Sequence, residues 1–191
     1  MVVALIPMNK LKIEQLVGEL LVAIGEDGGR EGLVETPRRV AEAYEALFSG
    51  YLKKPEDALT VFDGESYDEM IVAKNIEFYS QCEHHMLAFF GKVHIGYIPD
   101  GKIIGLSKLP RLVEIYSRRL QNQERLTSQI AHALMDLLKP KGVGVVLEAQ
   151  HLCMMSRGVE KQNSVVITST QLGLFKKNDK TRAEFLQLIG K

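Results

Sequence analysis

The sequence predicts an α+β protein: a helical N-terminal segment, residues 1–65, precedes a main domain, residues 66–191, with element order β-β-α-α-β-β. Two observations carry this. Apolar residues recur at three- and four-residue steps as far as Phe48, and from Met70 the pattern switches to strand-like alternation. Beyond that switch two helical patterns stand together between two pairs of strands instead of alternating with them, which separates an α+β plan from an α/β one.

In order along the chain, Leu11, Ile13, Leu16, Val17, Leu20, Leu21 and Ile24 form one apolar stripe over residues 10–24, an amphipathic helix that Gly25, Gly28 and Gly29 stop. Thr36 reads as the N-cap of a second helix, with Pro37 at the first helical position, where its missing N–H costs nothing. Val40, Ala41, Tyr44, Leu47 and Phe48 are its apolar face, and Gly50 ends it. A looser stretch with Pro55 and Gly64 links this segment to the main domain.

Residues 70–73 and 76–79 read as extended, interrupted at Lys74 and Asn75. Residues 89–98 alternate well, and Pro99-Asp100-Gly101 is a strong turn signal. Ser107 caps a helix running to about residue 120. A second helix, residues 123–139, carries Leu126, Ile130, Ala133, Leu134, Leu137 and Leu138 on one side and is closed by Pro140 and Gly142. Residues 143–152 read as a strand delivering His151 and Cys153 at its end, with both side chains on one face. Residues 164–172 form another strand, rich in β-branched residues, and residues 181–189 a closing helix. The symmetry of two strand pairs around a helix pair suggests a duplicated half.

With 46% hydrophobic and 25% charged residues among 191, the composition is that of an ordinary globular chain. A formal net charge of zero argues against a general nucleic-acid binder, so an anionic ligand must be met by a local cluster of positive residues. No apolar run reaches the length of a membrane span. The opening residues 1–7 are apolar but short and lack a basic lead, a poor signal peptide. Two cysteines without a secretion signal fit a cytoplasmic protein, where thiols serve as metal ligands or nucleophiles more often than as disulfides.

Both cysteines and three of the five histidines fall in two short segments, Cys82-Glu83-His84-His85 and His151-Leu152-Cys153. Thiolate and imidazole are the ligands zinc prefers, and three protein ligands with an open fourth position mark catalytic zinc sites. Cys82, His85 and Cys153 are therefore read as zinc ligands, with His84 and His151 left free beside them. Cys82 and His85 are three apart, within reach of one ion from one loop, whereas Cys153 lies 68 positions beyond His85 and reaches the ion only through the fold. A spare imidazole near such a site suits general acid–base work, because its pKa lies near neutrality. The alternatives are a structural zinc closed by His84 or His151, buried free thiols, and hydrogen-bonded structural histidines. His94 and His132 sit alone within regular elements and read as structural. Ser107, Lys108 and Arg111 cluster at a helix start, where free N–H groups and cations suit phosphate, or simply form a solvated first turn. Glu124, by itself, is a carboxylate favoured by the helix dipole.

Taken together, Cys82-Glu83-His84-His85, Gly91-Lys92-Val93-His94-Ile95-Gly96-Tyr97, Gly105-Leu106-Ser107-Lys108, Gln123-Glu124-Arg125-Leu126 and His151-x-Cys153-x-x-x-Arg157-Gly158 resemble GTP cyclohydrolase I, in order and spacing, from about residue 10 to the C-terminus. The resemblance implies conversion of GTP and water to 7,8-dihydroneopterin triphosphate and formate, the committed step toward folate or tetrahydrobiopterin. It implies the T-fold (tunnelling fold) for the main domain and a toroidal homodecamer with active sites at subunit interfaces. By position, Cys82, His85 and Cys153 match the zinc ligands, and His84 and His151 the histidines of proton transfer. Glu124, helped by Gln123, matches the anchor of the guanine edge. Ser107, Lys108, Arg111, Arg157 and Arg39 match the ribose and triphosphate contacts. The chain carries Ala88 where many relatives have proline, Ser156 where they have a larger residue, and Val165 and Val166 where more polar residues are common.

Overall fold

The computed structural model describes residues 7–191, so Met1 to Ile6 of the apolar opening lie outside the described residues. Helices α1 (Lys10–Ala23) and α2 (Thr36–Leu47) pack against each other as an N-terminal hairpin. Asn9 caps α1, its side-chain oxygen accepting from the Lys12 N–H. Thr36 is the first residue of α2 and not its cap: Glu35 holds the cap position, and the Thr36 hydroxyl donates to the Gly32 carbonyl at 3.4 Å. The cause is local, since residues 31–35 already turn and place a carbonyl one turn behind that hydroxyl.

A 3-10 turn, Ser49–Leu52, brings this hairpin against the helix at Lys108–Ser117. Here the Gly50 N–H donates to Arg118 O, and a Cβ on Gly50 would lie 2.3 Å from Ile115 O, an approach only glycine permits. Arg119 completes the joint. Its Nε donates to Gly50 O at 3.1 Å, and its guanidinium lies over the rings of Tyr51 and Tyr116.

The main sheet has the order β5-β2-β3-β6-β7. It comprises β2 (Ile71–Cys82), β3 (Ala88–Ile98), β5 (Leu120–Gln121), β6 (Gly142–His151) and β7 (Val166–Gly173), antiparallel except that β5 runs parallel to β2. A small second sheet pairs β1 (Val61–Asp63) with β4 (Lys102–Ile104). The interruption expected at Lys74 and Asn75 is a β-bulge within one strand: the register shifts between Ala73 and Ile76, and Asn75 takes a left-handed φ of 61°. Helices α3 (Lys108–Ser117) and α4 (Gln123–Leu138) follow β4 and β5, giving β2-β3-α3-α4-β6-β7, the β-β-α-α-β-β plan of the T-fold. Helix α3 stops at Ser117 and not near residue 120, because Leu120 and Gln121 pair with Gln81 and Cys82. Three further helices complete the chain: α5 (Leu152–Met155), α6 (Leu174–Lys177) and α7 (Asp179–Ile189).

The larger core joins Phe78, Phe89, Val93, Ile95, Val145 and Leu147 of the sheet to Leu109, Leu112, Leu126, Ile130 and Leu134 of α3 and α4. A smaller one gathers Phe175, Phe185 and Ile189 against Val146 on the opposite face of β6. Covered on both faces, β6 reads as a continuous apolar run instead of an alternating one. Gly96 and Gly144, partners across β3 and β6, make room for the edge-to-face pair Phe175–Phe185. A Cβ on Gly144 would stand 2.5 Å from Phe175 Cδ1, and one on Gly96 would stand 2.7 Å from Phe185 Cδ2. Among the described residues no helix is long and apolar enough to cross a membrane.

Candidate metal centre and active site

Strand register assembles the site. β2 ends at Cys82, β3 begins at Ala88 and β6 ends at His151, and Gln81 faces Ala88 while Phe89 faces His151, so all three termini meet at one end of the sheet. The connection from Cys82 to Leu87 is a tight turn. The Cys82 N–H donates to Leu87 O at 2.8 Å, the Met86 N–H returns to Cys82 O at 2.8 Å, and Met86 takes a left-handed φ of 55°. Cys153 arrives from α5. The strand expected to carry it ends two residues earlier, so Cys153 and His151 do not share a strand face; the chain turns helical at Leu152 and the helix points the thiol back at the turn.

The donor atoms of Cys82, His85 and Cys153 all lie within 4.8 Å of one another, and Cys82 Sγ is 4.0 Å from His85 Nδ1. A tetrahedral zinc, with bonds of about 2.0–2.3 Å, sets its ligand atoms roughly 3.5–3.8 Å apart. A contraction of about an ångström therefore closes this group on an ion, and two sulfurs with one imidazole nitrogen are a donor set suited to zinc. Both cysteines are free. Burial pushes the Cys153 thiol up, and the neighbouring Cys82 adds to it. A dication reverses that balance, since a coordinated thiol is deprotonated.

Two imidazoles flank the group. His84 is 65% exposed at its side chain, with Nδ1 3.7 Å from Cys82 Sγ and Nε2 3.8 Å from Glu83 Oε1. His151 is half-buried, its ring stacked on Phe89 at 4.7 Å and nearly parallel, and Nε2 lies 2.8 Å from Gln123 Oε1. Burial pushes the His151 pKa down, with Glu124 acting in the opposite direction. Gln123 is buried, and its amide nitrogen donates to Leu147 O at 3.2 Å, Val166 O at 2.9 Å and Thr168 Oγ1 at 3.1 Å. Three acceptors around one atom identify that atom as nitrogen, so the amide oxygen faces His151. The His151 proton therefore sits on Nε2, leaving Nδ1 as the acceptor.

Glu124 is exposed in the first turn of α4, and Arg157 is exposed just beyond α5, where it acts on the Cys153 thiol. Ser107, Lys108 and Arg111 gather at the start of α3. That start is one helix length, roughly 15 Å, from the end of α3 that leads into β5 beside Cys82. Arg39 is exposed on α2, in the N-terminal hairpin. One chain thus gathers Cys82, His84, His85, Gln123, Glu124, His151, Cys153 and Arg157 at one end of the sheet and leaves Ser107, Lys108, Arg111 and Arg39 elsewhere. Sequence reasoning passed over Asn122, which caps α4 by accepting from the Arg125 N–H at 2.8 Å; an Asn preceding a helical pattern is the signal for it. It also passed over Glu83, enclosed between the ligands, and Phe89, the stacking partner of His151.

The family description GTP cyclohydrolase I matches residues 13–190. A GTP cyclohydrolase 1 of Wolinella succinogenes is 56% identical, over 93% of this chain and 96% of its own length. One of Methylococcus capsulatus is 58% identical, over 94% of this chain and 97% of its own. Among solved structures, an archaeosine synthase QueF-like protein in the apo form covers 55% of this chain and 93% of its own at 18% identity and a TM-score of 0.44. By the family match and these relatives, the chain belongs to the GTP cyclohydrolase I family.

Proposed function

We propose that this protein is a zinc-dependent hydrolase converting GTP and water to 7,8-dihydroneopterin triphosphate and formate, the first step of tetrahydrofolate or pterin biosynthesis, in the cytoplasm. The observation that carries the reading is the Cys82–His85–Cys153 donor group with His84 and His151 beside it, in a chain of this family. Bound zinc supplies Lewis acidity that brings water to a nucleophilic state at neutral pH.

The chain's own residues handle protons and position. His84 or His151 protonates N7 of the guanine, making C8 open to addition of water. His151 gives a proton only as the imidazolium, with the second proton on Nδ1, because Nε2–H is held by Gln123; as the neutral ring its Nδ1 accepts a proton instead. A second hydration and C–N cleavage release formate, after which the ribose opens, rearranges and closes on the exposed amines. Glu124 accepts two N–H bonds from the guanine edge, which adenine cannot offer; sites of this kind discriminate strongly because mismatched polar groups are left unpaired. Gln123 contributes to that site by position, since its carboxamide is committed to the sheet and to His151.

Ser107, Lys108, Arg111, Arg157 and Arg39 hold the ribose and triphosphate. The separation of the α3 start from the metal turn supports a site completed by a neighbouring subunit, in a homodecamer. So do the apolar residues that α1 leaves uncovered, among them Leu11 at 80% and Val22 at 71% exposure.

The test is formate release and pterin fluorescence on adding GTP to zinc-loaded protein, with Cys153→Ser beside it. Both products from wild type and neither from the variant are expected. No formate, with zinc bound and assembly intact, would overturn the reading. Sedimentation at ten times the 21.4 kDa chain mass checks the decamer.

A further inference from the structure

Glu83 stands between two residues of the metal turn, yet its polar contacts run chiefly to the start of α4. Its N–H donates to Gln121 O at 2.9 Å, Oε1 accepts from Asn122 Nδ2 at 3.1 Å, and Oε2 pairs with the Arg125 guanidinium. None of these partners is free to drift. The Asn122 side chain is engaged as the α4 cap, Arg125 Nε donates to Gln121 Oε1 at 3.0 Å, and buried Gln121 donates to Tyr116 O at 2.9 Å and Gln129 Oε1 at 2.8 Å. Every one of Glu83's fixed partners lies on residues 121–125. The same stretch carries Gln123, which holds His151, and Glu124. On its other side, Glu83 Oε1 is 3.8 Å from His84 Nε2.

We propose that Glu83 is a positioning residue that fixes the Cys82–His85 turn to the first turn of α4, so that the metal group and the guanine-reading carboxylate of Glu124 keep one spacing. The inference rests on the zinc and GTP reading above. Apart from the Glu83 side chain, the turn is held by backbone bonds, those between Cys82 and Leu87, Met86 and His85 and that from Glu83 N–H to Gln121 O where β2 pairs with β5, and His84, His85 and Met86 are exposed at its tip. The Glu83 side chain is what ties it further, to the cap and first turn of α4 at Asn122 and Arg125. A partly exposed ion pair of this kind adds little to global stability, so its consequence lies in geometry. Groups that orient a metal's ligands typically change its affinity about 10- to 100-fold when removed.

Charge alone and positioning predict opposite signs in two variants, which makes the test sharp. Glu83→Ala removes a negative charge, so the field alone would tighten GTP; positioning predicts weaker GTP binding. Arg125→Ala removes a positive charge, so the field alone would tighten zinc; positioning predicts faster zinc loss, by roughly tenfold. GTP binding is read as KM, separated from kcat, on zinc-loaded full-length protein, and zinc release by transfer from loaded protein to a chromogenic chelator. The double variant is expected to be no worse than either single one, because both remove the same link. Glu83→Gln, which keeps the shape and an acceptor for Asn122, is expected to fall between wild type and Glu83→Ala.

If Glu83→Ala binds GTP at least as tightly as wild type, or Arg125→Ala releases zinc no faster, the proposal fails. It fails equally if the variants lose only melting temperature. Should wild type make no formate at all, the functional reading fails, while the zinc-release comparison still decides whether the link exists.

Discussion

Replacing Gln123 with alanine removes a side chain whose four hydrogen bonds all end on the protein itself. Thr168 keeps a partner, since its hydroxyl also bonds Thr127 at 2.7 Å. Val166 O loses the 2.9 Å bond from the amide nitrogen and His151 Nε2–H loses its acceptor, two groups in a half-buried or buried setting. Leaving such a group unsatisfied costs about 1–3 kcal/mol, so a combined loss of about 2–6 kcal/mol is expected. For a domain of this size that corresponds to a fall of roughly 4–24 °C in melting temperature. Gln123→Glu is the sharper variant. It keeps the shape but turns a carboxylate oxygen toward the oxygens of Leu147, Val166 and Thr168, so it should melt below the alanine variant at neutral pH. The assay is thermal melting of zinc-loaded protein without nucleotide, read beside kcat and KM for GTP. A residue that only touched the guanine edge would leave the nucleotide-free melting temperature unmoved and raise KM. That result, or Gln123→Glu melting at or above Gln123→Ala, would refute the assignment of amide nitrogen to the sheet.

Three further outcomes follow from other parts of the molecule. Cys153→Ser should bind substoichiometric zinc by metal analysis while remaining folded, because the ligand group loses one of its two sulfurs. Gly144→Ala should lose about 1–3 kcal/mol through overpacking against Phe175, read as a lower denaturant midpoint, and Phe175→Leu in the same chain should restore part of it. His94 is buried, accepts from the Asn75 N–H at 3.4 Å and faces Glu148, Lys191 and Lys92; burial pushes its pKa down against the pull of Glu148. The unfolded chain therefore binds the extra proton first, and stability falls as pH drops below about 6.5. Glu148, whose carboxyl Lys191 holds below the usual range, contributes its own loss only at lower pH, below about 4.5. Melting temperatures of wild type and His94→Gln between pH 7 and 5 should show a shallower slope for the variant; identical slopes would exclude His94 as the source.

The sequence by itself determined what neighbouring residues decide among themselves. Cys82 and His85, three apart, share one turn and one direction, so their joint role was legible from spacing. The periodicity of Leu126, Ile130, Leu134 and Leu138 specified α4, and its start at Gln123 fell where it was read. Short pairings were invisible: β1, β4 and β5 have three, three and two residues, too few to display a period, and they exist only because a distant strand supplies hydrogen bonds. The same holds for Lys74 and Asn75, where a break in pattern could not be told from a bulge until β3 was laid beside β2.

Tertiary structure alone decided which chemistry shares a place. Gln123 reads in sequence as a polar residue at a helix start, yet packing turns it under the sheet to hold His151. Ser107, Lys108 and Arg111 read as a helix-start cluster, but only the path of β3 and α3 shows how far that cluster stands from the metal turn. Cys153 meets Cys82 because antiparallel register aligns Phe89 with His151, a relation set by closing chain segments dozens of residues long. Turns, caps and periods follow from local backbone and side-chain preferences. Register and burial follow from which apolar faces the whole chain can cover at once, and no window of the sequence contains that information.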